Sequence, residues 1–295
     1  MLQTKSFGID HPLIAVRDMS LARSRFASIG LNMTPVGKHP WGTSTSLAIF
    51  NDCLLEVISI YDASLIEVKP TGDFKFGRHV YQHLNKREGV ALTALHSTDS
   101  IQDAQTAQTA GWSLSGHLEF GRDVVLPDGK SDRTKTTLAL LPNRIFPRLS
   151  FFLCQQHRRD LVEVSEWMNH ENGAYGINGV TIKTSNDDHK ALQVHLEAIF
   201  GQATLTPHGF TVQTPNGYIK VLRDYEMPKV VGTLPQIVID DNQPSIVAME
   251  FLVRDIEITT EIVKNSGLPY RLTKYGLLLD DASLLGNTFI QFHQK

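Results

Sequence analysis

Two polar side chains stand where strand patterns call for apolar ones. His11 opens "HPLIAV" (11–16), and Glu56 interrupts "CLLEVISI" (53–60) between Leu54, Leu55, Val57 and Ile58. A carboxylate in a half-buried strand is costly unless it is paired, ligating or facing solvent on an edge. A strand histidine can equally be a structural residue that bonds a backbone carbonyl. The loop "HPWGT" (39–43) places Trp41 to cap a small ligand, with Thr43 and its backbone as hydrogen-bond donors. Its other reading is a plain turn through Gly42. Other chemistries lack a signal. There is no GxGxxG, GxxxxGK[ST] or GxSxG, and neither Cys53 nor Cys154 belongs to a CxxC pair or a catalytic context.

Composition sets the frame for these residues. The chain has 295 residues, 41% hydrophobic and 20% charged, with a net charge of -3. It is long enough for two domains or one large one. The charge gives no basic stripe, so nucleic-acid binding is not expected. No apolar run is long enough to span a bilayer, and the first residues lack a secretory h-region. Two cysteines are too few for a disulfide framework, so free thiols and a cytoplasmic location are expected.

One order of elements returns four times along the chain. "HPLIAV" reads as a strand, Asp18 or Ser20 as a cap, "LARSRFASIGL" as a helix ending at Gly30, then "SLAIF" (46–50) and "CLLEVISI" as strands paired through the tight-turn dipeptide Asn51-Asp52. The second copy starts at "VALTALHS" (90–97), the third at "INGVTIKT" (177–184), and the fourth at "IVAMEFLV" (246–253). "AVRDM" (15–19) is echoed by "LVRDI" (252–256). A single βαβββ unit leaves sheet edges and one face uncovered, so units should pair. The expected fold is therefore α+β, with four βαβββ modules pairing into two cupped mixed sheets. Residues 1–165 form one domain and 173–295 the other. The stretch 234–244, rich in Pro, Asp and Asn, reads as a linker.

"IDHPLIAVRDMSLARSRFASIGLNMTPVGKHPWGT", "CLLEVISI" and "LPDGK", in that order, resemble the glyoxalase-like domain family of the vicinal-oxygen-chelate superfamily, which includes glyoxalases, bleomycin-resistance proteins and dioxygenases. The resemblance covers about the first 180 residues. It implies a cup holding a divalent metal (Zn, Ni, Mn or Fe), with a His or Gln at the start of each first strand and a Glu in each last strand as ligands. His11 and Glu56 match in the first module, with Glu56 also the proton carrier of catalysis. The second module departs from the pattern. Leu92 stands opposite His11, and "LSFFLCQQH" (149–157) has no carboxylate. His157 as a metal ligand, Gln155 as a substrate contact, or His96 could substitute, subject to a register in which a one-residue slip reverses the faces. In the second half the matching positions are Gly179, Lys220, Ala248 and Gln291, a degenerate copy. The implied activity is that of a metal-dependent lyase, isomerase or dioxygenase acting on a small oxygen-rich molecule. The rival is a resistance-type protein that sequesters a small molecule without metal. Neither a membrane nor a nucleic-acid partner is expected, and pairing of two copies as a homodimer stays open.

Overall fold

A computed structural model describes residues 6–295. The first half runs β1 (Ile9–Ala15), α1 (Met19–Ser28), β2 (Gly37–Lys38), β3 (Thr43–Ile49), β4 (Leu54–Ile60), α2 (Phe76–Lys86), β5 (Gly89–His96), α3 (Ser100–Thr109), β6 (Gly116–Phe120), β7 (Asp123–Val125), β8 (Ser131–Arg133), β9 (Thr136–Leu141) and β10 (Phe151–Gln156). The second half runs β11 (Ala174–Thr184), α4 (Asn186–Phe200), β12 (Thr204–Thr206), β13 (Gly209–Thr214), β14 (Gly217–Arg223), α5 (Met227–Val230), α6 (Gln236–Asp240), β15 (Ser245–Val253), α7 (Ile256–Ser266), β16 (Tyr270–Thr273), β17 (Gly276–Leu279) and β18 (Phe289–Gln294).

The strands form two eight-stranded mixed sheets. Their orders are β2-β3-β4-β1-β5-β10-β9-β6 and β12-β13-β14-β11-β15-β18-β17-β16. In each sheet the two central strands are antiparallel, β1 with β5 and β11 with β15. Each central strand has a parallel outer neighbour: β4, β10, β14 and β18. The helices start where caps stand. Asp18 accepts from the Leu21 amide at 2.9 Å, and Asp99 from those of Ile101 and Gln102 at 3.1 Å. Asp255 does the same for α7. Ser185 caps α4, its side chain accepting from the Asp188 amide.

The strands split their residues between two kinds of core. Ile9 and Ile14 of β1 join one hydrophobic cluster that continues through Phe26 and Phe151 into Phe251 and Phe292 of the second half. Leu13 and Ala15 point the other way, into the first cup, with Leu92, Leu138 and Phe152. α2 closes that cup with Phe76, Val80 and Leu84, an i, i+4, i+8 stripe. The second cup is filled differently. The chain folds back after β14, and Met227, Val231, Leu234 and Val238 pack on Leu222, Val247, Leu278 and Phe289. The 234–244 stretch is therefore no bare linker, since it contains α6.

The halves also meet through polar contacts. The Asn216 side chain accepts from the Ile9 amide at 2.8 Å and donates to the Ile9 carbonyl at 2.7 Å. The Trp112 and His195 rings stack at 4.6 Å. Gly30 lies at φ +88°, and a Cβ there would sit 2.8 Å from the Asn172 nitrogen, so this approach of the two segments needs glycine. Cys53 and Cys154 are free and buried. No helix among the described residues is long and apolar enough to cross a membrane.

Candidate active site in the first cup

β1 and β4 lie side by side in parallel, with Leu13 opposite Glu56. His11, two residues before Leu13, falls on the same face. Its Nε2 lies 3.3 Å from Glu56 Oε2, and both residues are buried. The His11 Nδ1 meets Asp10 Oδ1 at 2.5 Å. Neighbouring strand residues ordinarily point to opposite faces. Here the β1–β5 register shifts between Ile9 and His11, and the bulge at Asp10 brings consecutive side chains together. Asp10 Oδ2 also accepts from His96 Nδ1 at 2.7 Å and from Arg159 Nη1 at 3.3 Å.

Burial opposes charge on each of these groups, and the neighbours override it. Burial raises the Asp10 carboxyl, but His96 and His11 pull it well below its usual range. Burial lowers His11, but Asp10 and Glu56 lift it to about 9. Glu56 is held down by His11 against the same burial. His39, in the same cavity, is pushed by burial to about 4 and is neutral near pH 7.

The cavity has a volume of about 50 Å³. Trp41, Phe76, Phe120 and Phe152 supply apolar wall, while His11, His39, Glu56, Arg122 and Gln156 supply polar groups. Trp41 stacks on His39 at 5.0 Å and meets Phe120 edge-on at 5.0 Å. Three polar atoms in this wall, Glu56 Oε1, Trp41 Nε1 and Thr45 Oγ1, are buried without a hydrogen-bond partner among the described residues. The first accepts, the second donates and the hydroxyl can do either, and native interiors rarely leave such groups unpaired. Four wall residues, His39, Phe120, Arg122 and Thr134, also line an outer cleft of about 800 Å³.

The structure brings His11, Glu56 and Trp41 together and separates the other sequence candidates from them. Thr43 is fully buried but outside the cavity lining, and its hydroxyl is engaged with His39 Nδ1 at 2.9 Å. Gln155 and His157 face away from the cup. Along β10 it is Phe152, Cys154 and Gln156 that line the cavity. Gln155 Oε1 instead accepts from the Ser100 amide at 3.1 Å, and its Nε2 donates to the Thr98 carbonyl at 2.8 Å. His157 is exposed, with Nε2 2.8 Å from the Thr137 hydroxyl. The physical reason is strand register: one residue decides the face, and "FFLCQQH" has no apolar alternation to set it.

Sequence reasoning missed Asp10, His39, Arg122 and Gln156. Asp10 was legible in principle as an acid beside a strand histidine. His39 lies inside "HPWGT". Arg122 and Gln156 carry no local signal.

The donor set suits a divalent ion. Metal–ligand distances of about 2.1 Å place neighbouring donors about 3.0–3.4 Å apart, and the His11–Glu56 separation falls in that range. Asp10 on the far nitrogen of His11 is the outer-shell partner that a ligating imidazole ordinarily has. Cys154 Sγ lies close enough to join a group with Asp10 and His11, all within 4.8 Å. Burial raises that thiol well above its ordinary value, so an ion would have to displace its proton, as it would the proton on His11, which is lifted to about 9. The two remaining ligand positions of a symmetric cup are apolar. Ala94, the counterpart of Leu13, pairs with Phe152, so Phe152 occupies the place of Glu56, and Leu92 that of His11.

Residues 9–197 match the family model of the glyoxalase-like domain. No curated protein sequence matches the chain. Among solved structures, a hypothetical protein from Staphylococcus aureus aligns with a TM-score of 0.68 at 12% identity, over 98% of this chain and 99% of that one. A mutant of 4-hydroxymandelate synthase from Streptomyces coelicolor aligns with a TM-score of 0.57 at 13% identity, over 98% and 93%. A xylose isomerase-like TIM barrel/4-hydroxyphenylpyruvate dioxygenase fusion protein gives 0.60 at 12%, over 99% of this chain and 49% of that one. At such identities these likenesses speak for the fold alone.

Proposed function

The chain belongs to the glyoxalase-like domain family, and from that premise we propose that its first cup is a metal-dependent lyase, isomerase or dioxygenase site for a small, oxygen-rich molecule. The observation that carries this reading is Glu56. One of its oxygens faces His11 Nε2, and the other is buried without a partner. His11 and Glu56 would hold the ion. Such an ion, with open positions, supplies Lewis acidity toward a carbonyl or two adjacent oxygens. Asp10 fixes the His11 ring. Glu56 is placed to accept a proton from a bound substrate. Trp41, Phe76 and Phe152 exclude water, which strengthens every charge interaction inside. Arg122 offsets negative charge near Glu56.

The available space bears on the substrate. About 50 Å³ admits a water or two, or the oxygen-bearing end of a molecule, against the 300–1,000 Å³ or so of ordinary ligand pockets. A larger substrate must displace the His39–Phe120–Arg122 wall toward the outer cleft. That cleft is lined by Lys38, Lys69, Arg122, Arg133 and Lys135 against Glu119 and Asp123, a balance that favours an anionic substrate.

Leu92 and Phe152 support a second reading, in which the His11–Glu56 pair hydrogen-bonds a sequestered ligand without metal. Metal content of untagged protein separates the two. The enzyme reading expects near-stoichiometric divalent metal, reduced at least about tenfold in Glu56→Gln. Metal-free protein that fails to take up Zn, Ni, Mn or Fe(II) on addition would overturn it and leave the binding reading.

A further inference from the structure

The C-terminal end of α2 borders a second opening. It is a cleft of about 720 Å³, also lined by the segment leading into β10 and by Gln243 of the second half. Lys86, Arg144 and Arg148 line it, and no carboxylate does, although Arg144 pairs with the exposed Asp73 outside the lining at 2.7 Å. Arg148 is buried and clasped by Asp241: Nη2 reaches Oδ1 at 2.7 Å, and Nε pairs with Oδ2. Its Nη1 reaches His83 Nδ1 at 2.8 Å.

A guanidinium only donates. His83 therefore accepts on Nδ1 and carries its hydrogen on Nε2. That Nε2 is buried, on a residue 6% exposed, and has no partner among the described residues. The neighbouring Arg87, 1% exposed, is in the same condition. Its Nε binds Asp241 at 3.2 Å and its Nη1 the Glu88 carbonyl at 3.0 Å, but Nη2 has no partner. His79 offers the cleft no donor, because its Nε2 hydrogen goes to the Ala91 carbonyl at 3.0 Å.

The surplus is of one kind. Arg87 and Arg148 share a single carboxylate, Asp241, and two donors are left over; Arg87 does not line the cleft, but His83 does, and the charges of that lining are all positive. A water would satisfy a donor but would leave the charge uncompensated. An oxyanion does both, with short charge-assisted hydrogen bonds.

We propose that this cleft between the halves binds the oxyanion group of a small molecule, a phosphate or a carboxylate, with Lys86, Arg144 and the His83 Nε2–H as its donors. The site is separate from the first cup and does not depend on how that cup is read.

The test titrates the full chain with inorganic phosphate, and separately with acetate, at constant ionic strength set by chloride. The readout is the side-chain Nε2–H resonance of His83 in ¹H–¹⁵N spectra, assigned by its loss in His83→Gln. A saturable shift with phosphate marks a phosphate site, and one with acetate a carboxylate site. In Lys86→Gln/Arg144→Gln, changed only at exposed positions, the half-saturating concentration should rise about tenfold with the melting temperature unchanged. No shift with either anion, or an undiminished response in the double variant, overturns the proposal.

Discussion

Asp10 receives three donors at once, from His11, His96 and Arg159, in a site 1% exposed. Removing its charge would strand them. Asp10→Asn is expected to cost about 3–5 kcal/mol, read from urea unfolding, because breaking one partner of a buried ionic cluster leaves the others uncompensated. Metal retention should also fall, by about 10- to 100-fold, because the ring of His11 loses its orienting partner. Gln155→Ala and His157→Ala, by contrast, should leave metal content unchanged, since both side chains face away from the cup; a loss in either variant would contradict that geometry. His11 and Glu56 could be singled out from the sequence because each is a polar residue among apolar neighbours. Gln156 could not be told from Gln155, because the choice depends on pairing with β5 and β9, which no local pattern encodes.

At the level of elements, α2 is both wall and lid of the cup. Its stripe of Phe76, Val80 and Leu84 was written in the sequence at helical spacing, yet His79, His83 and Lys86 between them give it the look of a polar connection. Leu84→Ala should destabilise the protein by about 2–3 kcal/mol, the lower part of the range for a leucine truncated in a core, measured by chemical denaturation. An unchanged midpoint would mean that α2 is not docked as described. The strand–helix–strand order was readable throughout because capping aspartates, helix-ending glycines and apolar strands punctuate it. The β7–β8 hairpin and α6 were not, since both are short and owe their shape to what they pack against.

Taken whole, the two halves share one large hydrophobic cluster, while each cup keeps its own. The sequence boundary at 165–173 falls between β10 and β11, but the hydrophobic cluster crosses it. Calorimetry should therefore show a single cooperative transition, and two resolved transitions would speak for independent halves. The joint also carries a pH dependence. His195, stacked on Trp112 and accepting from Asn143 Nδ2 at 3.0 Å, is lowered by burial from 6.5 to about 4. Between those values the unfolded chain binds a proton that the folded chain refuses. Stability present above pH 6.5 is thus lost as pH falls toward 4, by up to about 3 kcal/mol. His195→Gln should flatten the stability profile over that window; an unaltered slope would exclude His195 as its source.

The refolded stretch behind β14 makes the second cup a host whose guest never leaves. Met227, Val231, Leu234 and Val238 are tethered to the sheet they fill. A tether this short gives a local concentration on the order of millimolar or more, without any diffusion. A free apolar compound would have to displace a competitor that cannot be diluted away. Dialysis, washing or competition with small ligands should therefore leave that cup as it is, and any measured small-molecule stoichiometry counts sites elsewhere in the molecule.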